Sequence, residues 1–459
     1  MGFALQGESE KLFYIIVSYP GEYLNMYKLA TNRNQKATVL MIMAAFLLTF
    51  TIIRAAITDI TYDEAYTYMA YVQEIHFSDL SSLRYIYNES VANNHWLNTL
   101  AIAVFEKMIG VSYCEFVIRL PNLVAFAVYC VYVCLAYRKR MISFICASFL
   151  LMNTYLDEFY GLARGYAMAQ TCVFAAAFCC MNWKESAYRK HGYLAGCAFW
   201  LMLGTYANTV VLLLFPAFGI LWLWRLIAAG QFWLFLKKWS WFVILFVISA
   251  FFTLRYHLKI SEWGMPLFTG HFDFYHSVVR SYIEMLTTNQ MIVSLSVVLL
   301  CVISMTASVI LKREIFTCDL TLSLAIFIAT SMLMNLITHK GYITERAAIP
   351  FYGYIVLCMF ELWHAAWERL DRKAFSGERK GKLHAAATIL VVCVLGFNFM
   401  RSLTFTSTTD WVNNYGRSER LLAGYINTGE FPELEDPDYN ASNDKFYRVK
   451  YWFIANSDS

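Results

Sequence analysis

The chain has 459 residues, of which 59% are hydrophobic and only 15% charged, with a net charge of +4. A soluble domain carries roughly a quarter charged residues, so the composition excludes an ordinary soluble enzyme and points to a polytopic membrane protein. The small basic excess is divided among short clusters between apolar runs, which excludes the continuous basic face that nucleic acid requires.

Residues 1–36 read as a cytoplasmic or interfacial segment with a short apolar stretch at 12–18, and Met26 is an alternative start to Met1. The run at 39–57 has no small-residue cleavage site and reads as a retained span, not a signal peptide. A span needs about 20 mostly apolar residues, and runs at 116–137, 141–155, 163–183, 193–206, 209–226, 239–254, 291–311, 316–337, 347–367 and 385–400 bring the expected total to about eleven. The expected fold is therefore an all-α polytopic membrane protein with interfacial helices in its first outer loop. The 12 cysteines fall mostly inside the apolar runs without paired spacing, as small buried hydrophobes do.

Short cytoplasmic loops retain Lys and Arg. Arg138, Lys139 and Arg140; Lys184, Arg189 and Lys190; Lys237 and Lys238; Lys312 and Arg313; and the basic loop 369–382 all fall on one side of the expected spans. The amino terminus is then cytoplasmic. A transmembrane domain at 37–401 turns its 58–115 loop outward, and the polar tail 402–459, strand-like at 446–454, lies on the same outer side. No internal repeat is visible, which counts against a transporter built from inverted halves.

Within the outer loop, 59–75 and 93–109 read as helices. In the second, Trp96, Leu97, Leu100, Val104, Phe105, Met108 and Ile109 form an apolar stripe at helical spacing, with Ile102 interrupting the polar face. Such a helix lies along the membrane interface. The first opens on Asp63 and Glu64. Thr61-x-x-Glu64 fits a capping box, which accounts for Glu64 and leaves Asp63 without a structural reason. Adjacent helical side chains point about 100° apart, so the two acids cannot flank one bond as a glycosidase pair does. If Glu64 is chiefly a cap, Glu64→Gln costs little. Cations stand at the expected outer mouths of spans: Arg119, Arg164, Arg346, and Lys340 beside His339. Each alone is explained by snorkelling to the interface; gathered on a face with an acid, they would make a phosphate pocket.

The order of these pieces carries a resemblance. An apolar span, then Asp63-Glu64-Ala65-Tyr66, then Asn94-His95-Trp96-Leu97-Asn98 opening a helix, then Glu115-Phe116-Val117-Ile118-Arg119-Leu120-Pro121 resembles the glycosyltransferase C superfamily. The branch it resembles is the dolichyl-phosphate-mannose protein mannosyltransferase-like one, which includes the lipid A aminoarabinose transferases. Ala163-Arg164-Gly165-Tyr166 and Glu345-Arg346-Ala347-Ala348-Ile349-Pro350 fit the same pattern. The chain departs from it at His95, which is followed by Trp96 and Leu97 where many relatives have two prolines. No loop is long enough for the luminal β-domain of the eukaryotic enzymes, which favours a prokaryotic type.

The resemblance implies an inverting transferase. Its donor is a sugar on a polyprenyl (undecaprenyl or dolichyl) phosphate, and a glycan, lipid or protein hydroxyl on the outer face is the acceptor. Carried onto this chain, Asp63 is the general base and Glu64 its support. Arg164, Arg346 and Lys340 bind the donor phosphate, and Tyr62, Tyr66, Asn94 and His95 line the sugar site. No cofactor is expected. Some relatives outside the branch use a divalent ion, but His271 and His276 have no familiar ligand spacing. The implied location is a plasma membrane, of the bacterial inner type, with the site facing the periplasm. Two other classes compete. A transporter or flippase predicts charged groups midway through the membrane. An O-antigen ligase or polymerase-type enzyme predicts an Arg-rich late outer loop, whereas 257–289 carries only Lys259 and Arg280.

Overall fold

The computed structural model describes residues 20–58, 60–79, 94–262, 316–338 and 345–374, with single positions 306 and 396. Every element among them is helical. The longest, α1 (Pro20–Ile57), buries Leu40, Ala44, Leu47, Thr51 and Ala55, which recur every three or four residues, and leaves Val39, Ile42, Phe46, Ile53 and Ile57 exposed. Side chains of this kind on an outward face are stable in hydrocarbon and not in water. The chain is a membrane-type helical protein.

After α1 come α2 (Tyr62–Thr67), continued as a π-helical turn (Tyr68–Val72), then α3 (Trp96–Ile109) and α4 (Glu115–Arg138). α3 stops at Gly110, whose φ of 76° is the left-handed conformation that glycine adopts at least cost. Next are α5 (Phe144–Leu151), α6 (Thr154–Tyr160), α7 (Gly165–Glu185) and α8 (His191–Ala207). α9 (Leu214–Ala228) follows a 3₁₀ turn (Thr209–Leu213), and α10 (Phe232–Glu262) is kinked at Trp239. α11 (Asp319–Thr338), a 3₁₀ segment (Glu345–Phe351) and α12 (Tyr352–Ala374) complete the described fold.

α7 is the central post. Ala167, Ala169, Ala175, Ala176, Ala177, Cys172 and Cys180 are all buried, and small side chains of this kind let α4 and α8 pack closely against it. Gln170 ties the late segment to it. In the orientation that satisfies its amide, it donates to the carbonyls of Ile349 (3.1 Å) and Pro350 (2.8 Å) and accepts from the Gly353 N–H.

Among the described residues, six stretches are long and apolar enough to cross a membrane: Arg33–Ile57, Glu115–Arg138, Thr209–Ala228, Phe232–Arg255, Asp319–Ile337 and Ala347–Ala365. The expected span 141–155 is not one helix. Asn153 leaves helical geometry, and its side chain caps α6 at the Leu156 N–H (3.2 Å), so the run divides into α5 and α6. The expected spans 291–311 and 385–400, apart from the single positions 306 and 396, and the tail with its strand-like 446–454 lie outside the described residues.

The charged clusters separate to opposite ends of the bundle. At one end Lys139 donates to Asn182 (2.7 Å), Lys184 pairs with Glu361 (2.9 Å), and Asp319 receives Arg225 and the Tyr188 hydroxyl. At the other stand Glu64, Arg119, Asp63 and Arg164. In α3 the later part of the apolar stripe faces outward, with Val104, Met108 and Ile109 exposed, while Leu97 packs on the core and Asn98, Thr99, Ile102 and Glu106 are buried in protein. Ile102 does not interrupt the polar face but belongs with it on the protein side.

Candidate functional site

The capping box that opens α2 is present: the Glu64 N–H donates to Thr61 Oγ1 (3.3 Å), and Glu64 Oε2 accepts from the Thr61 N–H (2.9 Å). Glu64 does much more than cap. Arg119, fully buried on α4, grips the same carboxylate with Nε (2.9 Å) and Nη2 (2.8 Å), and its Nη1 donates to the carbonyls of Ala55 and Thr58. Glu64 Oε1 also accepts the Ala163 N–H at 2.6 Å. Burial opposes the charged form of Glu64, but the Arg119 guanidinium and the donors around the carboxylate outweigh it and hold its pKa below the usual range.

From this knot the site follows. Ala163 is held on both sides, its N–H by Glu64 and its carbonyl by Asn98 Nδ2 (3.0 Å), and Asn98 is itself anchored by Asn122 (2.7 Å). The next residue is Arg164, at the N-cap of α7. Its Nη2 lies 3.3 Å from Asp63 Oδ2, and longer contacts of 3.4 Å run from Nη1 to the Asp63 carbonyl and Thr67 Oγ1. The structure thus joins two residues that the sequence reading had assigned to separate tasks.

The remaining motif residues have visible jobs. A Cβ at Gly165 would lie against the Ala207 carbonyl oxygen and 2.5 Å from His95 Cβ, so only glycine lets the His95 segment pack here. The His95 ring meets Tyr166 edge-on at 4.6 Å, and the Arg164 guanidinium lies 5.6 Å from the same Tyr166 ring. His95 and Asn94 are buried, and Asn94 Oδ1 accepts from Thr99 Oγ1 (2.7 Å) in the first turn of α3. Tyr66 packs edge-on against Tyr71. The backbones of Tyr62 and Arg346 are placed, in α2 and in the 3₁₀ segment that packs on α7; their side chains lie outside the described residues, as do Lys340, His271 and His276 in full. Among the described residues no three His, Cys, Asp or Glu side chains cluster as a metal site.

Gly165→Ala is expected to be strongly disruptive, because the clash falls on backbone and on a buried ring. Overpacking of this kind costs about 1–3 kcal/mol, and the shift is transmitted to Arg164. A fall in unfolding temperature of the purified variant checks this, and an unchanged value would mean that His95 is not packed on Gly165.

Three residues absent from the sequence reading lie at this same end. Arg54 Nη2 stands 3.9 Å from Glu158, and the neighbouring Asp157 is buried with neither carboxyl oxygen hydrogen-bonded among the described residues. The signal was available. Asp157-Glu158 repeats the Asp63-Glu64 pair in the next expected outer loop, and Arg54 is a charge inside the first span, where ionisable groups are expensive.

Burial raises the Asp157 pKa well above the ordinary carboxylate range, with Arg54 opposing the shift. Relative to an unfolded value of about 3.9, its contribution to stability is complete below that pH and is lost as pH rises through the folded value. Asp157→Asn is therefore expected to unfold at no lower temperature than the native protein in acid, and at a higher one as pH rises. Thermal unfolding at several pH values measures it, and a variant losing stability with pH as the native chain does would refute it.

Compared with protein-family models, curated proteins and solved structures, the chain matches none.

Proposed function

We propose that the chain is a membrane glycosyltransferase of the glycosyltransferase C type, with about eleven spans. It transfers a sugar, with inversion, from a polyprenyl phosphate to an acceptor hydroxyl at the outer face of a bacterial-type inner membrane. The observation that carries the proposal is the meeting of Asp63 and Arg164 across a hundred residues of chain, at one end of a bundle of lipid-compatible helices. A partly exposed carboxylate beside a fixed guanidinium is what a displacement at a sugar–phosphate carbon calls for.

In that reaction Asp63 accepts the hydroxyl proton while the acceptor oxygen attacks the sugar carbon. The carbon–oxygen bond to phosphate breaks, and polyprenyl phosphate leaves as an anion that needs no strong acid. Arg164 holds that anion, with Arg346 and Lys340 assigned to the same task. Glu64, Arg119 and Asn98 fix the frame. Tyr62, Tyr66, Asn94 and His95 are assigned to the sugar side.

The transporter alternative is less well supported. Among the described residues the ion pairs stand towards the ends of the bundle, whereas an ion or solute path calls for charges midway. The proposal is tested by supplying the purified protein in detergent with a panel of polyprenyl-phosphate sugars. Transfer to an acceptor, or release of sugar by water, is the expected result; neither with any donor would overturn the proposal. Mass spectrometry of surface glycans and lipids from a deletion strain then identifies the acceptor.

A further inference from the structure

Three guanidiniums at this end face carboxylates: Arg119 with Glu64, Arg54 with Glu158, and Arg164 with Asp63. Among the described residues none of the three stands as surplus positive charge, so a phosphate anion seated on Arg164 takes it from Asp63. The three pairs are not equally available. Arg119 makes a two-pronged contact with Glu64 at 2.8 and 2.9 Å and is tied to two backbone carbonyls, with both side chains wholly buried. Arg54 and Glu158 are buried beneath the site at 8% and 2% exposure. Arg164 Nη2 and Asp63 Oδ2 stand 3.3 Å apart, the hydrogen bonds from Nη1 to the Asp63 carbonyl and Thr67 Oγ1 are long at 3.4 Å, and Asp63 at 15% is the most exposed acid of the three. An arginine fork suits phosphate oxygens at least as well as a carboxylate 3.3 Å away.

We propose that the Asp63–Arg164 ion pair is a latch opened by the donor: the phosphate replaces Asp63 on Arg164, and the displaced carboxylate becomes available to the acceptor hydroxyl. This rests on the reading of Arg164 as the donor-phosphate ligand. The exchange gives the site an order of events. Before the donor arrives, Asp63 is occupied as a counter-ion. Once the phosphate is seated, base and cation are separated into the two roles the reaction needs. No covalent bond changes in the exchange, and charge is conserved within the site.

The test needs no knowledge of the sugar. Binding of undecaprenyl phosphate, and separately of inorganic phosphate, is measured with the full-length protein in detergent. Because Asp63 competes with the ligand for Arg164, Asp63→Asn is expected to bind the phosphate about tenfold more tightly than the native protein, and Arg164→Gln about tenfold more weakly. In the Arg164→Gln background the Asp63→Asn gain is expected to vanish, as a double-mutant cycle requires for coupled residues. A side chain with only a structural role gives no reason for tighter binding.

If Asp63→Asn binds no more tightly while Arg164→Gln still weakens binding, the latch is wrong and Arg164 remains the phosphate ligand. If Arg164→Gln leaves binding unchanged, the phosphate-ligand assignment falls and the latch with it. Equal gains towards both ligands place recognition in the phosphate anion itself. A gain towards undecaprenyl phosphate alone shows that the prenyl chain is needed to reach Arg164, and either gain upholds the exchange. Should Asp63→Asn fail to fold, Asp63→Ser removes the same charge and carries the same expectations.

Discussion

Glu64→Gln is expected to destabilise the protein by about 3–5 kcal/mol, the range for removing one partner of a buried ion pair. Four N–H groups converge on the Glu64 carboxylate: two from Arg119, one from Ala163 and one from Thr61. A glutamine presents one acceptor oxygen and an NH₂ group to those donors, so at least one donor meets another donor in a fully buried site. Arg119 would remain charged and wholly buried. The measurement is the unfolding temperature and yield of the purified variant, with phosphate binding as a second readout, because Ala163 anchors Arg164. Near-native stability would mean that the Glu64–Arg119 pair is not formed. Exchanging both partners for uncharged residues, as in Glu64→Gln with Arg119→Met, is expected to recover part of the loss, since the uncompensated charge is then gone. The pH dependence has a definite sign. The folded pKa of Glu64 is depressed, so its contribution is present above the unfolded value of about 4.3 and is lost as pH falls through the folded value.

That expectation reverses the one drawn from sequence, and the reason is instructive. A capping box is a local pattern over four residues, and Thr61-x-x-Glu64 could be read without any fold. Arg119 and Ala163 approach Glu64 from 55 and 99 residues away, and no spacing rule reports contacts at that range. The same limit applied to α3. Periodicity located the helix and its stripe, but which side faces protein depends on what packs there. Asn98 and Glu106 are buried because Ala163 and Tyr68 await them. Long apolar runs were legible because bilayer thickness sets their length directly. The interrupted run at 141–155 was not, because hydropathy averages over Asn153, whose side chain ends one helix and begins another. For the site, charge at the mouths of expected spans found Arg119 and Arg164. Asp157, Glu158 and Arg54 were passed over because a span was drawn through or beside them. The Asp63–Arg164 contact needed the fold.

Asp63→Asn is expected to reduce turnover by about 10²–10⁴-fold, the usual contribution of a general base, while leaving the protein folded. The two halves of that expectation rest on different features. Asparagine has nearly the shape of aspartate, Asp63 is partly exposed, and its partner Arg164 keeps its approaches to the Asp63 carbonyl and Thr67 Oγ1, so the fold is preserved far better than in Glu64→Gln. An amide cannot take up the acceptor proton, so the chemical step fails. The kinetic signature separates this from damage to the frame. Glu64→Gln and Gly165→Ala displace Arg164 and should weaken donor affinity together with turnover. Asp63→Asn should lower kcat with no rise in the donor KM, and with a fall if the phosphate competes with Asp63 for Arg164. Near-normal turnover in a folded Asp63→Asn protein would remove Asp63 as the base. A parallel loss of kcat and donor affinity would instead make it a structural partner of Arg164. Only a loss of kcat accompanied by tighter donor binding is consistent with a carboxylate that waits on an arginine and is handed to the acceptor when the phosphate arrives.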